Sequence, residues 1–119
     1  MQPDTLPAPI VQKTYETAQW LVLKAARFPK THKFTLGDRI AGRALDLLET
    51  LAGATYARQG RANLFDRADR QISGLRYLLR MAKDLKLVSI DGYGHGSESL
   101  EEIGRMLGGW RKFESGKRP

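Results

Sequence analysis

Apolar residues along this chain recur at intervals of three and four in four separate blocks, and no block shows the period of two that a half-buried strand needs. In the first block, Ile10 to Phe28, the residues Val11, Tyr15, Ala18, Leu21, Val22 and Ala25 make one stripe. Trp20 and Leu23 fall off its centre and mark a second apolar surface suited to subunit contact. The second block, Thr35 to Gly60, carries Leu36, Ile40, Ala44, Leu47, Leu48, Leu51 and Thr55. The third, Leu64 to Val88, sets Ala68, Ile72, Leu75, Leu79 and Ala82 at near-heptad spacing, and the last, Leu100 to Phe113, turns Leu100, Ile103, Leu107 and Trp110 inward. Four amphipathic helices with short connections predict an all-α fold, an up-down four-helix bundle. With 119 residues there is material for one core. Residues 1–119 therefore read as a single domain, with 1–9 and 114–119 as disordered tails.

The punctuation between blocks follows from backbone chemistry. Pro29 lacks an N–H and biases Phe28 away from helical angles, so the first helix should stop there. Thr35 reads as the next N-cap, with Asp38 near the positive end of that helix. Gly60 reads as a C-terminal stop. Gly42 and Gly53, and likewise Gly104 and Gly108, weaken their helices, and close packing is the expected compensation. Ser89 to Gly96 reads as a glycine-rich loop, followed by a cap at Ser97 or Ser99.

Charge adds a second pattern. The net charge is +7, which favours a polyanionic partner. The stretch Lys24 to Arg43 alone holds six basic residues against one acid, and residues 58–86 hold eight against three. Residues 87–104 carry four acids and no Lys or Arg. Within the third helix Arg76, Arg80 and Lys83 cluster on one flank of the Leu75 seam, and Arg39 with Arg43 do the same in the second. Lys30, His32 and Lys33 add to the connector. Two readings of these stripes stand side by side: a surface for nucleic acid or an acidic partner, or arginine stems covering apolar surface and pairing locally, as Arg70 with Asp66. Trp20, Tyr56, Phe65 and Tyr77 sit at helical spacing and read as core or interface rather than as base-stacking platforms.

Little in the sequence supports catalysis or a cofactor. His32 and His95 are far apart, there is no cysteine, and no carboxylate stands at metal-ligand spacing. The run Gly92 to Gly96 lacks the Lys-Ser/Thr and the strand of a phosphate loop. Absence of cysteine suits a reducing compartment. Residues 1–9 have three prolines and no basic stretch of a secretory signal, and no apolar run approaches the roughly 18 residues needed to span a bilayer. The expectation is a soluble, cytoplasmic, non-enzymatic protein without membrane contact.

Three stretches together carry a family resemblance: Phe28 to Ile40 (FPKTHKFTLGDRI), Leu75 to Leu87 (LRYLLRMAKDLKL) and Glu102 to Trp110 (EIGRMLGGW). In this order the chain resembles the accessory variability determinant proteins of diversity-generating retroelements, a group similar to the four-helix-bundle proteins encoded in ribosomal RNA intervening sequences. The resemblance implies a homopentameric, barrel-like assembly with a basic surface and no chemistry of its own. It implies binding of RNA and DNA, template repeat RNA and cDNA among them, with little sequence preference, and association with the retroelement reverse transcriptase. A partner-binding role passes to Arg76 and Arg80, which match the arginine pair of the Leu-Arg-x-x-Leu-Arg run. The competing readings are a structural oligomer that binds an acidic protein, and an intervening-sequence-type bundle with no transcriptase partner.

Overall fold

The computed structural model describes residues 8–116, so of the expected tails 1–9 and 114–119 the parts 1–7 and 117–119 lie outside the described residues, while Ala8 and Pro9 are not tail but open the first helix. Four helices form: α1 (Ala8–Ala26), α2 (Asp38–Tyr56), α3 (Arg61–Asp84) and α4 (Ile90–Gly116). Among the described residues there is no strand. Each helix packs on its neighbours in the chain, and α4 returns against α1, which closes a four-helix bundle. The core runs its full length, from Ile10, Leu21 and Phe28 through Leu47, Leu51, Leu75 and Leu79 to Leu100, Ile103 and Leu107.

The stripes of α3 and α4 are buried as their periodicity predicts, and so is most of that of α2, where Leu48 and Thr55 are half-buried at its edges and Thr50 and Ala54 join the core. That of α1 is rotated: Ile10, Thr14, Thr17, Ala18, Leu21 and Ala25 face the core, whereas Tyr15 is 51% exposed and Val11 and Val22 are half-buried. Threonine fits this buried face because its hydroxyl is satisfied within the helix. Thr14 Oγ1 donates to the Ile10 carbonyl at 2.7 Å and Thr17 Oγ1 to that of Lys13 at 2.9 Å, leaving the methyl groups for packing.

The connector after Pro29 is helical rather than a capped break. Lys30–His32 makes one turn and Lys33–Gly37 a wider, π-type turn that runs directly into α2. Thr35 lies inside that turn and is not a cap; its hydroxyl donates weakly to the His32 carbonyl at 3.4 Å. Asp38 does occupy the first turn of α2. The crossing needs Gly37, where a Cβ would lie 3.2 Å from the Ala25 carbonyl oxygen and 3.4 Å from the Phe28 ring.

Gly60 adopts the left-handed conformation at φ 74°, but it precedes α3 instead of ending α2. The end of α2 is closed by Arg61, whose Nε donates to the Ala54 carbonyl at 2.8 Å and Nη2 to that of Ala57 at 2.9 Å. Its Nη1 meets Glu114 at 2.8 Å, so α4 continues past the expected tail boundary through Gly116. Beside it Phe65 and Trp110 pack with ring centroids 4.7 Å apart. The end of α3 is a Schellman turn: Leu87 N–H donates to the Ala82 carbonyl and Lys86 N–H to that of Lys83, with Lys86 itself left-handed at φ 63°.

The expected glycine-rich loop is the beginning of α4. Ser89 caps it, its Oγ accepting from Gly92 N–H at 2.9 Å, so the cap lies eight residues before Ser97. Gly96 explains why glycine is used here: a Cβ would sit 2.7 Å from Leu79 Cδ2 and 2.9 Å from Trp20 Cζ3. Trp20 is thus packed against α4, with its ring 4.8 Å from that of His95, and does not form a free second apolar surface; Leu23 does remain 62% exposed. A Cβ at Gly42, Gly53, Gly104 or Gly108 would meet no neighbouring element within 4 Å among the described residues, so the close packing expected of them is absent there.

Candidate nucleic-acid interface

The basic residues singled out in the sequence fall on two separate faces, divided by α3. On the side toward α4, Arg76 and Arg80 open into a recess of about 330 Å³ together with Ser73, Tyr77 and Tyr93. One helical turn separates the two arginines, so their stems leave α3 in parallel, next to the buried Leu75 and Leu79. Lys83 joins them, its Nζ lying 4.8 Å over the Tyr93 ring. The acid on this face is Asp84, 4.0 Å from Arg80 Nε and 3.5 Å from Lys83 Nζ. Such exposed pairs contribute about 0–1 kcal/mol, so these cations can exchange Asp84 for a phosphate at little cost. Arg76 makes no ion pair among the described residues.

On the side toward α2 lies a larger groove of about 720 Å³. Arg39, Arg43 and His32 line it, but so do Asp38 and Asp46, and its floor is apolar, with Leu36, Leu78, Met81 and Leu85. Phe34 stands exposed at its edge, with Lys33 Nζ 5.9 Å over the ring. Lys30 is exposed on the connector and does not line the groove. This face is amphipathic where the first is cationic.

Other basic groups are committed elsewhere. Asp66 pairs with Arg111 at 2.6 Å, not with Arg70, and Lys13 pairs with Glu102 at 3.3 Å. Among the described residues no group of three His, Cys, Asp or Glu side chains is placed to hold a metal ion, and no helix is long and apolar enough to cross a membrane.

Two members of the first recess escaped the sequence reading. Tyr77 reads as core or interface; at 71% exposed it is not core, nor is the exposed Tyr56, while Phe65 is buried and Trp20 half-buried. The signal was available: Tyr77 lies two residues beyond Leu75, about 200° around the helix and so opposite the seam. Tyr93 lies in the segment that reads as a glycine-rich loop, where a side chain has no predictable face. Its position depends on the cap at Ser89.

A profile of the bAvd-like proteins matches residues 9–114, nearly the whole described chain and all four helices. The chain belongs to the bAvd-like family. This agrees with the resemblance of the three motif stretches to accessory variability determinants, and it marks this bAvd-like chain as an accessory protein of retroelements, a generally non-catalytic group. Comparison with curated proteins finds no match.

Proposed function

We propose that this bAvd-like protein is a non-catalytic, homopentameric scaffold that binds nucleic acid with little sequence preference and holds a retroelement reverse transcriptase during mutagenic cDNA synthesis. The observation that carries the nucleic-acid part is the pairing of Arg76 and Arg80 in one open recess, with Lys83 beside them. Cations projecting from a rigid helix need little ordering when phosphates dock, and they read charge rather than sequence. The transcriptase is assigned to the groove between α2 and α3. There Phe34, Met81 and Leu85 supply the apolar contact area and Arg39, Arg43 and His32 a charged rim, the usual anatomy of a protein interface. Lys30 and Lys33 add diffuse attraction for either partner.

The two faces can be tested against each other. Replacing Arg76 and Arg80 together by Ala is expected to weaken nucleic-acid binding and to lower the slope of log K against log salt by about two, while helicity is kept. Met81→Glu is expected to abolish co-purification with the reverse transcriptase and leave nucleic-acid affinity unchanged. Wild-type affinity that barely changes between low and physiological salt would overturn the phosphate contacts. Equal loss of both partners in both variants would overturn the division of faces.

A further inference from the structure

We propose that the face formed by Ser73, Arg76, Tyr77, Arg80 and Tyr93 selects single-stranded over duplex nucleic acid, one base stacking on the Tyr77 ring while Arg76 and Arg80 hold the adjoining phosphates. This rests on the nucleic-acid reading above and adds to it the form of the ligand. Tyr77 carries the inference. Its ring is 71% exposed, stacks on no other ring and takes no cation over its face among the described residues, and it lies opposite the Leu75 seam, where bundle packing has no use for it. Arg76, the preceding residue, and Arg80, three residues on, both lie to one side of that ring in the same recess, so a stacked base would have cations at its own backbone.

The other tyrosine has a different part. Tyr93 is half-buried and already carries the Lys83 ammonium 4.8 Å over its ring, so it forms a fixed wall of the recess, while Tyr77 is the open platform. The arginines alone cannot discriminate, because single strands and duplexes both present phosphates. Stacking does discriminate: bases in a duplex are stacked on one another, whereas those of a single strand can splay onto an aromatic face, and each such base strengthens binding by roughly 5- to 100-fold. The 2′-hydroxyl takes no part in the stack, so single-stranded RNA and DNA should both bind.

The test uses the full-length protein and fluorescence anisotropy with three probes: a 20-nucleotide oligo(dT), a 20-nucleotide oligo(U) and a mixed-sequence 20-base-pair duplex. Tyr77→Leu is expected to weaken binding of both single strands by roughly 5- to 100-fold and to change duplex affinity less than twofold. Tyr77→Trp should keep single-strand affinity, which shows that the ring rather than the fold is responsible. Equal losses on single strand and duplex overturn the proposal, as does unchanged single-strand affinity in Tyr77→Leu, including the case where that variant instead loses the reverse transcriptase. If the wild-type protein binds none of the probes at low salt, the nucleic-acid reading itself fails. If it binds them all and Tyr77→Leu binds them equally well, only the single-strand inference fails.

Discussion

At the scale of single residues, the tightest point in the bundle is Gly96. A methyl group there would meet Leu79, which is buried, and Trp20, whose ring is rigid and held between α1 and His95. Leu79 cannot swing aside into solvent, and the half-buried Trp20 ring is backed by His95. Gly96→Ala is therefore expected to destabilise the protein by about 1–3 kcal/mol, in spite of alanine's better helix propensity, because overpacking outweighs the propensity gain of about 1 kcal/mol. Urea unfolding should show a lower midpoint with an unchanged slope. The opposite sign would mean that Leu79 and Trp20 repack freely. Gly104 and Gly108, with open space where a Cβ would go, are the natural comparison.

At the scale of elements, α4 is the helix least supported by its own composition. Its first seven residues, Ile90 to Gly96, include three glycines, each weakening a helix by about 1 kcal/mol relative to alanine. What starts it is the Ser89 cap, together with the acidic Asp91 in the first turn. Ser89→Ala is expected to cost about 1 kcal/mol and to act locally, raising amide exchange over Ile90 to Gly96 while the half from Leu100 onward stays protected. Uniform exchange along α4 would show instead that packing against Leu79 and Trp20 starts the helix. Because Tyr93 lies on these turns and walls the Arg76 and Arg80 recess, the same change should loosen the candidate site.

At the scale of the whole molecule, one subunit leaves apolar side chains unburied that its own core does not reach: Leu23 and Tyr15 on α1 and Tyr56 at the end of α2. These side chains are available for the contacts of the five-subunit ring proposed above, which rests on the family resemblance. A closed ring of odd number requires head-to-tail contacts between two different patches on each subunit. Sedimentation velocity at micromolar concentration is expected to give one species of five times the mass of the chain, and a stable monomer would overturn the proposal. Leu23→Glu, at an exposed site, should dissociate the ring without lowering helicity if α1 supplies one of those patches.

What the sequence by itself determined is what depends on local periodicity and on rules of one residue. The four helices, the inward faces of α2, α3 and α4, the stop at Pro29 and the clustering of Arg76, Arg80 and Lys83 follow from spacing near 3.6 and from proline's missing donor. The left-handed Gly60 was legible as a conformation, though not as the start of α3. Only the tertiary structure decided the rest, because there distant residues overrule local preference. Gly92, Gly94 and Gly96 look like a loop until Trp20 and Leu79 are seen to require the absence of a side chain at Gly96. Thr35 looks like a cap until the connector is seen to continue as a helical turn past it, with Gly37 close against the Ala25 carbonyl. The basic residues look like one surface until α3 stands between them. The charge of each group is written in the sequence, but which groups share a recess depends on the rotation of each helix about its axis, and contacts across the whole core set that angle.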